Sequence, residues 1–388
     1  MSFSKHKMIT FAFIIIILLA IVPDLYIWNN FLKNVGLMIK VLYWLPFVIL
    51  LTLPLLGTIG IWRNGIFHAF IFLLLLTVIP KYIFLLFSLV GKGIGILWPT
   101  ATTIGNMAGI ACGLLMIMAF AYGMIWGWKR VTIKEAHIEA RHLPRSFDGY
   151  TIVQLSDFHI GTYRQSPDMV QEIVDKVNNL KPDIILFTGD MVNLSADELT
   201  PFTHILSKMK AKDGVYSIVG NHDYCTYGHH DNPMAATEDF NLLMEMERKM
   251  GWKVLLNENY VLHRGADSIA IVGVENGGES PFPSRADLSK ATHGLGTDTY
   301  KILLSHDPSH WRREVLTRND IHLTISGHTH AMQLKIGDFS PSQWKYPEWG
   351  GLYREGDKLL HVSTGIGSNV PFRLGAWPEI NVLRLYAE

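Results

Sequence analysis

The chain has 388 residues and no formal net charge, with 34 basic and 34 acidic side chains, 49% apolar residues and only 18% charged ones. Residues 8–128 hold just Asp24, Lys33, Lys40, Arg63, Lys81 and Lys92 as charges, whereas the chain from Val131 onward carries 25 basic and 33 acidic residues. That asymmetry excludes a single soluble domain, a disordered chain and a basic nucleic-acid binder, and two cysteines, Cys112 and Cys225, exclude a disulfide scaffold.

Four apolar stretches come first, at about 8–28, 41–62, 66–90 and 104–128. Each is long enough for a hydrocarbon core, which needs about 20 residues, and only a helix satisfies its own backbone there. Trp28, Trp44, Trp62, Trp98, Trp126 and Trp128 sit mostly near the stretch ends, where interfacial anchors belong. The pattern predicts an all-α transmembrane bundle of about four helices over residues 1–130. With four crossings, Lys5, Lys7, Arg63, Lys129, Arg130, Lys134, Arg141 and Arg145 fall on one side and Lys33, Lys40 and Lys92 on the other. This bias places both termini in the cytoplasm, at an inner or plasma membrane. Pro80-Lys81 interrupts the third stretch. A re-entrant segment there would move the C-terminal domain outside, and the lysine reads either as a functional intramembrane group or as one that faces the bundle.

From residue 131 short β-rich runs alternate with amphipathic windows. Strands are expected at 151–157, 183–190, 214–221, 253–256, 268–274, 300–307, 321–327, 360–364 and 380–385. Helices are expected from an N-cap at Ser166 to Leu180, at 196–209 and at 234–250. The alternation predicts a largely parallel, helix-covered sheet over 131–388.

Five strands end in polar clusters: Ser156-Asp157-Phe158-His159, Gly189-Asp190, Gly220-Asn221-His222-Asp223, Ser305-His306-Asp307 and Gly327-His328-Thr329-His330. Ligands gather outside the carboxyl ends of strands in open α/β sheets, so these clusters can converge on one crevice. Their carboxylate, imidazole and amide donors, without thiolate, suit Mn, Fe or Zn. Alternate residues at a strand end point the same way, which lets Asp157 and His159, or His328 and His330, reach one ion. The glycines before Asp190, Asn221 and His328 are expected to permit sharp turns.

These five blocks, in this order, resemble the calcineurin-like metallophosphoesterase superfamily over about residues 143–388. Ser-Asp-Phe-His-Ile-Gly, with Gly365-Ile366-Gly367, Pro371, Arg373 and Pro378-Glu379, is most similar to its bacterial membrane-associated branch, itself similar to UDP-diacylglucosamine diphosphatases. The resemblance implies a two-sheet α/β sandwich with helices on its outer faces and two divalent ions. Asp157, His159 and His330 would hold the first ion, with Asp190 shared. Asn221, His306 and His328 would hold the second, and His222 would be the acid beside the leaving oxygen, with Asp223 supporting it. One departure is Ala331-Met332, where that branch carries glycines, which bears on the pocket wall rather than the metals.

Arg164 and Arg373 are candidate ligands for substrate phosphate, Trp344, Tyr346, Trp349 and Trp377 are candidates for contact with an acyl chain or the bilayer, and His229-His230 reads as a solvated pair. The reading that results is a membrane-anchored phosphohydrolase acting on a phosphorylated small molecule or lipid, such as a UDP-diacylglucosamine-like molecule, with no nucleic-acid partner. The alternatives are a transporter or receptor bundle with a regulatory phosphoesterase, or a non-catalytic metal-binding scaffold.

Overall fold

The computed structural model describes residues 2–58, 64–228, 230 and 232–388. Trp62, Arg63 and His229 lie outside the described residues. The chain divides into two compact units, Met1–Met124 and Ile125–Glu388.

In the first unit four helical segments are long and apolar enough to cross a membrane: Ile15–Leu32, Leu37–Leu56, Gly65–Gly95 and Thr100–Lys129. The third is one unbroken helical run, Gly65–Gly95. Proline lacks the N–H of a regular turn and its ring strikes the carbonyl four residues back. Here a π-helical turn, Leu74–Val78, lies immediately before Pro80 and makes room for it. The last helix, Thr100–Ile125, buries Ala101, Gly105, Gly109 and Gly113, one small residue per turn. A Cβ on Gly105 would meet the Phe87 carbonyl at 2.6 Å, and one on Gly109 would meet Phe84 at 3.1 Å, so these backbones pack closely in the way membrane helices favour.

Lys81 faces the bundle and is not a lone cation. Its ammonium lies 2.6 Å from the buried Asp24 carboxylate. Its neighbour Tyr82 donates to the carbonyl of Leu19 at 2.6 Å, the group that Pro23 leaves without its helical N–H. Tyr43 donates to the Asp24 carbonyl at 3.2 Å. The charge that could have supported an ion path is therefore neutralised by a partner on the first helix.

The second unit carries twelve strands: β1 Thr132–Ala140, β2 Tyr150–Leu155, β3 Ile184–Phe187, β4 Val215–Ser217, β5 Lys253–Val254, β6 Glu258–Arg264, β7 Asp267–Gly273, β8 Tyr300–Leu304, β9 Leu323–Ser326, β10 Gly351–Glu355, β11 Lys358–Val362 and β12 Glu379–Ala387. They form two six-stranded sheets, β1-β12-β2-β3-β4-β5 and β10-β11-β9-β8-β7-β6, rather than the single sheet that alternation predicts. The pairs β12–β2, β10–β11 and β6–β7 are antiparallel. Side chains alternate as a pleat requires. Ile184, Leu186, Ile302 and Leu304 pack between the sheets. Ile185 and Phe187 face the helix Pro167–Asn179 through Val170, Ile173, Val174 and Val177, and Val272 and Leu303 face Leu288 and Trp311 on the far side. The result is two sheets face to face with helices outside both.

Three strands that the sequence reading omits, β1, β6 and β10, are edge strands. Each pairs on one side and exposes much of its length, so its apolar signal is diluted by Lys, Glu, His and Arg. The helix expected at 196–209 is instead two 3₁₀ turns and a single α-turn, Thr203–Leu206, broken around Pro201. Ser166 occupies the N-cap position, but its side chain makes no capping bond.

Candidate active site

The polar clusters follow β2, β3 and β4 of one sheet and β8 and β9 of the other, so they meet where the carboxyl edges of the two sheets adjoin. His159 Nε2 lies 3.1 Å from His330 Nε2, and His330 Nε2 lies 3.3 Å from an Asp157 oxygen. Asp190 Oδ2 lies 3.2 Å from His306 Nε2 and 3.6 Å from His159 Nε2. His328 Nδ1 lies 3.2 Å from His306 Nε2. Three overlapping donor groups result, each with ligand atoms within 4.8 Å of one another: Asp157, His159 and His330; His159, Asp190 and His222; Asp190, His306 and His328.

Five of these residues, Asp157, His159, Asp190, His328 and His330, have left-handed backbones, with φ between 45° and 73°. Non-glycine residues rarely adopt that region, and such strain collects at functional sites. Buried hydrogen bonds hold it in place. Asp223 accepts the backbone N–H of Asp190, Met191 and Gly220 at 2.7–2.8 Å, lashing the turn after β3 to the turn after β4. Asp157 accepts the His328 N–H at 3.0 Å, joining the two sheets.

The glycines divide into two kinds. Gly189, with φ of 93°, turns the chain as expected. Gly220 and Gly327 instead provide clearance. A Cβ on Gly220 would run into the Asp190 carboxylate and His306, and one on Gly327 into Ser156 and Asp157.

Burial prepares three of the imidazoles for a cation. Burial drives His159 down to about 3 and His328 to about 4, and it pushes His330 well below its ordinary value, so all three are neutral with lone pairs available. Burial works against the Asp190 carboxylate, yet the His306 imidazole holds it well below the usual range. His306, which burial alone would lower, is held up to about 10 by Asp190. Burial pushes Asp157 up to about 6. Asn221 lies beside this cluster, and its Oδ1 is buried with no hydrogen-bond donor among the described residues. An orphaned carbonyl oxygen and imidazole nitrogens 3.1 Å apart are arrangements that a cation resolves.

His222 is held by partners that no motif signals. Its Nδ1 donates to the Asn193 carbonyl at 2.7 Å, and Asn369 Nδ2 lies 3.2 Å from its Nε2. Asn193 in turn donates to Asn369 Oδ1 at 2.9 Å. Tyr346 is buried, with its hydroxyl 2.8 Å from His328 Nε2. Arg373 is wholly buried, spans the Ala376 and Gly367 carbonyls, and reaches His330 Nδ1 at 3.2 Å. Arg164 sits on the surface beside Asp197, and among the described residues it shares no contact with the cluster.

After His330 the backbone remains left-handed through Ala331, Met332 and Gln333, with φ of 50°, 44° and 59°. Glycine suits that conformation, so Ala331-Met332 departs from the pattern at the cost of backbone strain. Relief of one left-handed residue is worth about 1–2 kcal/mol, partly offset by the unfolded-state freedom of glycine, about 0.5–1 kcal/mol. Met332→Gly is therefore expected to raise the thermal unfolding midpoint by a few degrees, and a lowered midpoint would contradict the strain.

Residues 150–332 match the family model described as calcineurin-like phosphoesterase. A "Transmembrane protein with metallophosphoesterase domain" from Danio rerio is 30% identical over 293 residues, 72% of this chain and 63% of that one, so the chain spans less than two thirds of that relative. The "UDP-2,3-diacylglucosamine pyrophosphatase LpxG" of Chlamydia trachomatis is 27% identical across 72% of this chain and 98% of its own length. An "Uncharacterized metallophosphoesterase" of Helicobacter pylori strain J99 is 30% identical over 284 residues, covering 72% of this chain and 70% of that protein. Sequence kinship across most of a relative's length, a two-sheet sandwich and converging Asp and His side chains agree: the chain belongs to the calcineurin-like metallophosphoesterase family.

Proposed function

We propose that this protein is a membrane-anchored, two-metal phosphohydrolase, with its anchor in residues 1–130 and its catalytic domain in 131–388. The observation that carries the reading is the set of three donor groups linked in a chain, the first to the second by His159 and the second to the third by Asp190. Asp157, His159, Asp190 and His330 would hold one divalent cation, and Asp190, Asn221, His306 and His328 the other. Bound there, the cations would supply Lewis acidity that lowers the pKa of water and neutralises phosphoryl oxygens. The chain's own task is then to orient and to move a proton. Asn193 and Asn369 fix the His222 ring: Nδ1–H stays on the Asn193 carbonyl, and Nε2, once protonated, would give its proton to the leaving oxygen. Arg373 and Tyr346 set the rings of His330 and His328 as positioning residues. Neither Ser nor Cys needs to act as a nucleophile, and Cys225 is buried with its thiol pushed above its ordinary value by that burial.

The substrate class favoured is a lipid-linked phosphoester or diphosphate. The anchor keeps the site near lipid, and one relative bears the name of a diacylglucosamine pyrophosphatase. The Lys and Arg bias of the span flanks supports a cytoplasmic active site. The test is hydrolysis of p-nitrophenyl phosphate and bis-p-nitrophenyl phosphate by the detergent-solubilised full chain, with Mn²⁺ and with chelator. Turnover that chelation abolishes and Mn²⁺ restores is expected. Turnover indifferent to chelator would refute the metal-dependent reading.

A further inference from the structure

The segment between the two site histidines and Tyr346 carries an apolar lobe that catalysis does not use. It leaves the site at His330 and returns at Tyr346, whose hydroxyl touches His328. Between them lies a tight hairpin, closed by mutual backbone bonds between Ile336 and Phe339 at 2.9 and 3.1 Å around Gly337. Ser340 Oγ ties its base to the Ala331 carbonyl at 2.6 Å, and Lys335 N–H ties it to the Leu374 carbonyl at 2.8 Å. The lobe is thus a fixed projection, not a loose loop.

Its tip is apolar and open. Met332, Ile336, Phe339 and Trp344 are 50%, 65%, 40% and 78% exposed, and Trp344 stacks edge-on against Phe339 at 5.7 Å. Large apolar side chains exposed together mark an interaction surface. Tryptophan and phenylalanine clustered at an exposed tip are the composition of segments that settle at a bilayer interface; Lys335 flanks them, Lys345 is paired with Glu279 at 3.0 Å, and Asp338 is the one acidic residue of the hairpin. A bilayer is always at hand, because residues 126–131 alone join the helix Thr100–Ile125 to β1. A short tether makes weak lipid contact intramolecular and persistent.

We infer that the Met332–Trp344 lobe dips into the bilayer surface beside the active site and takes lipid acyl chains as its partner. The lobe follows His330 in the chain and is followed by Tyr346, whose hydroxyl meets His328, so a lipid whose phosphate enters the site would have apolar side chains of the same segment available to its acyl chains. The bilayer contact stands apart from catalysis, and only its consequence for turnover rests on the phosphohydrolase reading.

The test uses the full chain in nanodiscs of phosphatidylcholine and phosphatidylglycerol. A nitroxide is placed at Ile336→Cys on a Cys112→Ser, Cys225→Ser background, with Glu172→Cys as the water-exposed control. Collision with oxygen exceeding collision with a water-soluble chromium complex is expected at residue 336, and the reverse at residue 172. A label at 336 that is water-exposed, or shielded from both quenchers as at a protein interface, would overturn the inference. A second arm compares wild type with the triple variant Ile336→Ser, Phe339→Ser, Trp344→Ser. Turnover of phosphatidic acid in vesicles is expected to fall about 10-fold, while that of soluble p-nitrophenyl phosphate stays unchanged. Equal loss on both substrates would deny the lobe a lipid role in turnover. A chain inactive on every substrate would fault the phosphohydrolase reading and leave the depth measurement to stand.

Discussion

Replacing Asp190 with Asn is expected to lower phosphoester turnover by more than about 10³-fold, beyond the loss usual for one electrostatic element. Three observations set that size. Asp190 belongs to two of the three donor groups, so the substitution weakens both cation sites at once. It also removes the charge that does most to hold His306 at about 10, leaving Asp157 and the Thr188 carbonyl to act against burial. The backbone N–H of His222 donates to Asp190 Oδ1 at 2.8 Å, a bond that the charged carboxylate strengthens and a neutral amide would weaken. Asparagine keeps the shape and the oxygen that accepts this bond, which makes it a test of charge rather than of folding. Metal content should fall with activity, by plasma mass spectrometry. A variant with normal metal and normal turnover would remove Asp190 from the mechanism.

His222→Ala is expected to separate chemistry from metal binding. Loss of a general acid costs about 10²–10⁴-fold. The loss should be greater for an alkyl phosphate than for p-nitrophenyl phosphate, because p-nitrophenolate departs without a proton. His222 also appears in one donor group, with His159 and Asp190. Metal content therefore distinguishes two roles: a variant that keeps its metals supports the acid, and one that loses them makes His222 a ligand.

The sequence makes plain what local pattern controls. The four long apolar helices follow from continuous apolar runs, and β2, β3, β8 and β9 follow from short apolar strands buried on both faces. The donor side chains are readable because each sits in a short motif at a strand end. Pairings distant in sequence are not readable in this way. Asp24 and Lys81 lie 57 positions apart, and nothing in either helix names its partner. Asn369 lies 147 positions from His222 and belongs to no motif. Arg373 is visible as a conspicuous residue, but its burial beneath His330 depends on the return of the C-terminal segment to β2 through β12. The glycines could be located but not explained. Only the packed structure shows that Gly189 turns the chain while Gly220 and Gly327 keep space for neighbouring donors.

The central claim is a pair of cations held by one set of side chains, and counting them tests it most directly. The full chain, purified without a polyhistidine tag and equilibrated with Mn²⁺, should carry two ions after excess metal is removed, and both should be lost on chelation. One ion would reduce the site to a mononuclear centre, and none would contradict the metal-dependent account altogether.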